Sequence, residues 1–174
     1  NNYTKGNRLV GTVYADFTIF KHFSFRSNFG LDQAYVRNKS YEPEFEVSVS
    51  QRNADDRLSI GSFESRTWLW ENTLTYNQVW DNHRVNVLAG YTSQEFGDES
   101  FGGSRAEFGS GQDELLYLSY GNDTTQMNFG GASQWAMVSY LFRTNYTLFD
   151  RYLLTASLRV DGSSRFSPEN RWGY

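Results

Sequence analysis

The chain has 174 residues, with 16 Lys and Arg against 20 Asp and Glu for a formal net charge of -4, and 18% of its residues are aromatic. Neither sign of charge gathers into a long run, which argues against nucleic acid as a partner, because its binders carry a basic stripe or patch. Cysteine is absent, so a disulfide framework and a thiolate metal site are both excluded.

In chain order, the first periodic run is Val10 to Phe20, VGTVYADFTIF. It alternates Val13, Ala15, Phe17 and Ile19 against Thr12, Tyr14, Asp16 and Thr18, the period of a strand with one apolar face. A turn at Lys21-His22 leads into Phe23 to Asp32, where Phe23, Phe25, Phe29 and Leu31 oppose Arg26, Asn28, Gly30 and Asp32. The pair predicts a hairpin over about 10–32. The polar stretch of about 33–66 reads as a long loop with a short strand near Phe45 to Val49.

The pattern then recurs. Trp68, Trp70, Leu74 and Tyr76 face away from Glu71, Thr73 and Thr75, a turn falls at Asp81-Asn82, and Val85, Val87, Ala89 and Tyr91 line the return. This predicts a second hairpin over 67–92. The glycine-rich, polar 93–133 reads as a second long loop with one helical turn at Asp113 to Ser119. A third hairpin is expected over 134–161, turning at Phe149-Asp150. Its return strand sets Tyr152, Leu154, Ala156, Leu158 and Val160 against Arg151, Thr155, Ser157, Arg159 and Asp161.

Six strands joined alternately by very short and very long connections suit a transmembrane β-barrel, whose turns are short at one rim and long at the other. The charged residues of the strand cores, Asp16, Arg26, Asp32, Glu71, Arg84, Arg143, Arg151, Arg159 and Asp161, all fall opposite the apolar set. A charge facing lipid costs about 2 to 4 kcal/mol at mid-bilayer, which enforces such a separation; the core of a β-sandwich would enforce it too. Trp68, Trp70, Trp80, Tyr91 and Tyr152 stand toward strand ends, where an aromatic girdle lies. No apolar run reaches the roughly 18 residues that a membrane helix needs. Known membrane barrels start at about 8 strands, so six strands are expected to be an internal portion of a larger one.

Several motifs carry a resemblance. WLWENTLTYN (Trp68 to Asn77), VNVLAGY (Val85 to Tyr91) and, most specifically, DRYLLTASLRVDGSSRF (Asp150 to Phe166) followed by NRWGY (Asn170 to Tyr174) resemble the SusC/RagA class of TonB-dependent outer-membrane transporters of Bacteroidota. The resemblance implies an all-β, antiparallel transmembrane barrel of about 22 strands, of which this chain would supply about six consecutive ones. It also implies the outer membrane and its lipid as surroundings, a SusD-like lid lipoprotein and TonB as partners, and import of an oligosaccharide or peptide. The plug domain and TonB box of that class are expected to lie outside this chain, and the loops at 33–66 and 93–133 to be extracellular.

No catalytic, cofactor or metal site is expected. Glu42, Glu44 and Glu46 read as an acidic solvated loop rather than a carboxylate pair or a calcium site. His22 and His83 sit at turns without further ligands, and Ser, His and Asp occur without a nucleophile elbow. Gly102-Gly103 and Gly109 to Gly111 lack the lysine and helix of a phosphate loop. The sequons at Asn2, Asn38, Asn122 and Asn145 matter only in a glycosylating pathway. Candidate substrate or lumen contacts are Arg143, Arg159, Asp161 and Arg165 on the polar face, with Tyr117 and Tyr120 in the second loop. A passive porin and a soluble carbohydrate-binding β-sandwich are the competing readings.

Overall fold

The computed structural model describes residues 2–108 and 116–174. The fold is built almost wholly from antiparallel strands: β1 (Tyr3–Ile19), β2 (Phe23–Glu42), β3 (Phe45–Ser48), β4 (Gln51–Asn53), β5 (Arg57–Trp80), β6 (His83–Ala106), β7 (Met127–Leu148), β8 (Tyr152–Ser163) and β9 (Trp172–Gly173). Seven form one sheet in the order β1-β2-β5-β6-β7-β8-β9, and β3 pairs with β4 in a small separate hairpin. The chain divides into two units, one comprising Leu9–Asp32, Arg66–Gly97 and Gln134–Tyr174, the other Asn1–Arg8, Gln33–Ser65 and Asp98–Ser133.

The first unit holds the three short turns. Phe149 and Asp150 have φ of 51° and 53°, positive at both central positions as a type I′ hairpin turn demands. Asp81, with φ 46°, opens the turn between β5 and β6. The turn between β1 and β2 is Phe20 to His22, one residue longer than expected, with Phe20 at φ 51°. Backbone bonds link these turns to neighbouring hairpins, from Asn77 N–H to the His22 carbonyl (2.8 Å) and from Phe149 N–H to the Asn82 carbonyl (2.9 Å). Beyond the last turn, β7 and β8 pair from Leu148↔Tyr152 to Met137↔Ser163, with Tyr146↔Leu154, Phe142↔Leu158 and Tyr140↔Val160. Directly paired residues share a face, so the apolar sets expected for the two strands meet on one side.

That apolar side is outward and open: Tyr152, Leu154 and Leu158 are 67%, 61% and 57% exposed. Aromatic rings join across the strands in a row, Trp70 to Tyr91 (6.3 Å), Tyr91 to Tyr140 (5.5 Å) and Tyr140 to Trp172 (6.3 Å). The strand alternation is therefore written by a surface that is apolar but not buried within this chain. Leu153 departs from the pattern, lying on the polar side opposite Thr147.

The strands are much longer than the apolar periodicity suggests, which corrects the expected loops. β2 runs on to Glu42, β5 starts at Arg57, β6 reaches Ala106 and β7 begins at Met127. Only 43–56 and 107–126 remain as connections, and the first contains β3 and β4, a two-strand version of the single strand expected near Phe45. The ladder satisfies backbone N–H and C=O groups whatever the side chains, so a strand continues after its apolar alternation stops. In 107–126 the described elements are the 3-10 turns Leu118–Tyr120 and Asp123–Thr125. The expected Gly109 to Gly111 segment and the start of the Asp113 to Ser119 turn lie outside the described residues.

The second unit contains the buried apolar cluster: Leu58, Phe108 and Leu116, with Tyr41, Ile60 and Leu118 packed on it. Asp56, only 6% exposed, ties it together. Its carboxylate accepts from Phe108 N–H at 2.8 Å and from the Tyr41 hydroxyl at 2.9 Å, while its carbonyl accepts from Glu107 N–H. Arg105 donates to the Gly121 carbonyl, to Asp123 (2.6 Å) and to Gln126 (3.0 Å). Gly121 is needed there, because a Cβ would stand 2.6 Å from that of Arg105 and 2.8 Å from the Phe108 ring.

Candidate functional site

The polar face of the first unit is where chemistry gathers. A hollow of about 490 Å³ opens on it, lined among others by Tyr14, Arg26, Glu71, Ser139, Leu141 and Arg159. Arg26 grips Asp16 through two bonds, Nε to Oδ1 at 2.6 Å and Nη2 to Oδ2 at 2.9 Å. Its guanidinium also stands over the Tyr14 ring at 5.2 Å. Asn28 Nδ2 donates to Glu71 at 3.0 Å. Arg159 Nε reaches both oxygens of Asp161 at 2.9 Å, and its Nη2 reaches the Ser139 hydroxyl at 3.4 Å.

Each pair follows from strand register. Asp16 and Arg26 are equally spaced from Lys21 at the centre of their turn, so the hairpin sets them side by side. Ser139 pairs with Asp161 and Leu141 with Arg159 along the β7–β8 ladder. Glycine opens the floor: a Cβ on Gly90 would touch Leu141 at 3.4 Å and Thr73 at 3.8 Å. The result is a polar surface with paired charges, able to meet a hydrated polar solute.

Of the residues singled out from sequence, Arg159 and Asp161 fall in this cluster. Arg143 lies on the same face opposite Ser157, and it makes no side-chain hydrogen bond or ion pair among the described residues. Arg165 caps the Trp135 ring at 4.5 Å, and Trp135 stacks on Phe96 at 5.8 Å. Tyr117 and Tyr120 belong to the other unit, where their rings meet edge to face at 6.3 Å. The Lys39 ammonium sits 5.7 Å from the Tyr117 ring and donates to the Leu116 carbonyl at 2.6 Å. Sequence reasoning placed Asp16, Arg26 and Glu71 on the polar face without selecting them as site residues; the symmetric spacing of Asp16 and Arg26 about their turn is the signal that marks the first pair. His22 and His83 make local bonds, to the Asn77 carbonyl and the Tyr146 hydroxyl.

An open apolar face with a row of aromatic rings, opposite a polar face with paired charges, defines the wall of an antiparallel transmembrane β-barrel. The comparisons with known proteins agree. The chain is 27% identical over 99% of its length to TonB-dependent receptor P26 of Formosa agariphila, and 27% identical over 98% to TonB-dependent receptor P3 of the same organism. It is 57% identical to TonB-dependent receptor SusC of Bacteroides thetaiotaomicron over 42 residues, 24% of the chain. The fold superposes on the RagAB peptide importer in its closed-closed state with a TM-score of 0.87, covering 98% of this chain and 19% of that one at 22% identity. No protein-family model matches the chain. The chain spans 18% of the length of receptor P26 and 17% of receptor P3. The chain is thus similar to a stretch of the barrel wall of these receptors.

Proposed function

We propose that this chain forms part of the barrel of an outer-membrane importer that takes up oligosaccharides or peptides, driven through TonB and closed by a SusD-like lipoprotein. The observation that carries the reading is the polar face, with its charge pairs Asp16–Arg26 and Arg159–Asp161 around one hollow. Such a face suits a water-filled passage, because mutual pairing lets charges line it without repelling a neutral or zwitterionic solute. Arg143, Arg159, Asp161 and Arg165 are the proposed contacts for plug or substrate on this face. Tyr117 and Tyr120 are proposed as loop contacts, with 57% and 52% exposure leaving their rings open for stacking.

The similarity to receptors named for TonB dependence favours active import over a passive porin. Deleting the gene in its host and growing the cells on defined oligosaccharides or oligopeptides as sole carbon source tests this. The importer reading expects loss of growth on one ligand class, copied by removing TonB. Uptake that continues without TonB would leave the porin reading standing. Equal growth on every ligand tested would remove nutrient import.

A further inference from the structure

A second cavity, about 470 Å³, lies within the other unit, a size that suits a small organic ligand. β2 supplies Tyr35 and Arg37 to its lining, β5 supplies Ile60 and Ser62, β6 supplies Phe101, and β7 supplies Asn128. Residues two apart on a strand share a face, which is why each pair on β2 and β5 enters the cavity together. Leu118, from the first 3-10 turn, adds a second aliphatic side chain to that of Ile60. A Cβ on Gly103 would stand 3.2 Å from Asn128 Oδ1 and 3.5 Å from Leu118 Cδ1, so glycine keeps the space between them open. Tyr35 and Phe101 are 42% and 62% exposed, which leaves the cavity accessible to a dissolved ligand.

The polar groups of the cavity lack internal partners. Ser62 Oγ is buried and has no hydrogen-bond partner among the described residues, a costly state for a hydroxyl. The Arg37 guanidinium and the Asn128 amide also make no side-chain hydrogen bond or ion pair among the described residues. No carboxylate of the described residues lines the space, so nothing within it neutralises Arg37. Lys39, the next cation along β2, is committed elsewhere, donating to the Leu116 carbonyl at 2.6 Å and standing over the Tyr117 ring. The cavity therefore offers one positive charge. A guanidinium presents a planar fork that fits the two oxygens of a carboxylate, whereas a phosphate dianion calls for a second cation. Around that fork, the Phe101 ring and the aliphatic side chains of Ile60 and Leu118 suit an apolar group attached to the carboxylate.

We propose that this cavity binds the carboxylate of a small organic acid with an apolar body, the class to which the free C-terminal residue of an apolar peptide belongs. Arg37 holds both carboxylate oxygens, Ser62 Oγ donates to one of them, and the apolar group lies against Phe101, Ile60 and Leu118. The proposal goes beyond the importer reading, since it holds whether or not the bound acid is transported. The test is isothermal titration calorimetry of the intact protein in mild detergent with N-acetyl-leucine, with its amide, and with galacturonate. N-acetyl-leucine should bind at least roughly tenfold more tightly than its amide, which keeps the shape and loses the charge. It should also bind more tightly than galacturonate, which keeps the charge and has no apolar group. Arg37→Gln should abolish the preference for acid over amide and Ser62→Ala should reduce it, while Arg52→Gln, on β4 and outside the cavity lining, should leave it unchanged. Heat-modifiable gel mobility confirms folding, and the comparison of acid with amide on the parent protein needs no variant. Equal affinity for acid and amide, binding of neither, or a folded Arg37→Gln protein that keeps the preference would overturn the proposal. Galacturonate bound as tightly as N-acetyl-leucine would overturn the apolar body. These affinities are independent of TonB-dependent growth, so this proposal and the importer reading fail separately.

Discussion

The two units obey different rules. In the unit of the tight turns, order is imposed from outside the chain: its apolar side chains stay exposed, and the strand alternation separates a face for lipid from a face for water. In the other unit order comes from within, through a small buried cluster around Leu58 and an aspartate that satisfies backbone and hydroxyl donors. A barrel wall needs only the correct face at each position, whereas a connection that returns along its own strands needs specific partners. The first demand is periodic and the second is not.

This difference sets the size of mutational effects. The largest is expected on the lipid face: Leu158→Arg, in the middle of β8, should cost about 2 to 4 kcal/mol, seen as loss of heat-modifiable barrel in bilayers. Ser157→Arg, one residue before it on the polar face, should insert normally. If the two behave alike, the facial separation carries no such meaning. Next comes Asp56→Ala, which leaves the buried Phe108 N–H without its acceptor at a cost of about 1 to 3 kcal/mol. Hydrogen exchange should quicken at Phe108 and Glu107 while the β7–β8 amides keep their protection. Uniform loosening of both regions would erase the distinction between them.

A smaller effect is expected at Gly162. A Cβ there would stand 2.8 Å from the Trp172 ring, across the pair Gly162↔Trp172. Gly162→Ala should move the ring at a cost of about 1 kcal/mol, read as a shift in tryptophan emission. Smallest of all is Asp16→Asn. Both Asp16 and Arg26 are well exposed, and surface pairs add little, so thermal stability should not change measurably while passage of charged solutes does.

The same contrast explains what the sequence made legible. The three short turns to within a residue, the facial sets and the strand pairing of β7 with β8 follow from period-two alternation, which lipid on one side and water on the other must impose. The outer lengths of β2, β5, β6 and β7 did not follow, because residues such as Gly102 and Ser104 show no apolar period where the ladder alone holds the strand. The Gly162 and Trp172 contact shows why two separated motifs, VDGSSRF and NRWGY, occur together: the glycine of the first makes room for the ring of the second. Arg159 and Asp161 were legible as polar-face residues. The contacts of Lys39 with the Leu116 carbonyl and the Tyr117 ring were not, since they join β2 to a connection far along the chain.

The central claim is that one face of these strands meets lipid and the other water. These strands contribute no cysteine, so single cysteines placed from Tyr152 to Asp161 report each position in bilayers once any cysteine elsewhere in the intact barrel is replaced. Labelled there with an environment-sensitive fluorophore, positions 152, 154, 156, 158 and 160 should be quenched by brominated lipid, and 155, 157, 159 and 161 by iodide in the aqueous phase. Iodide quenching at every position, with none from brominated lipid, would contradict the account and make the apolar face a surface for protein rather than for membrane.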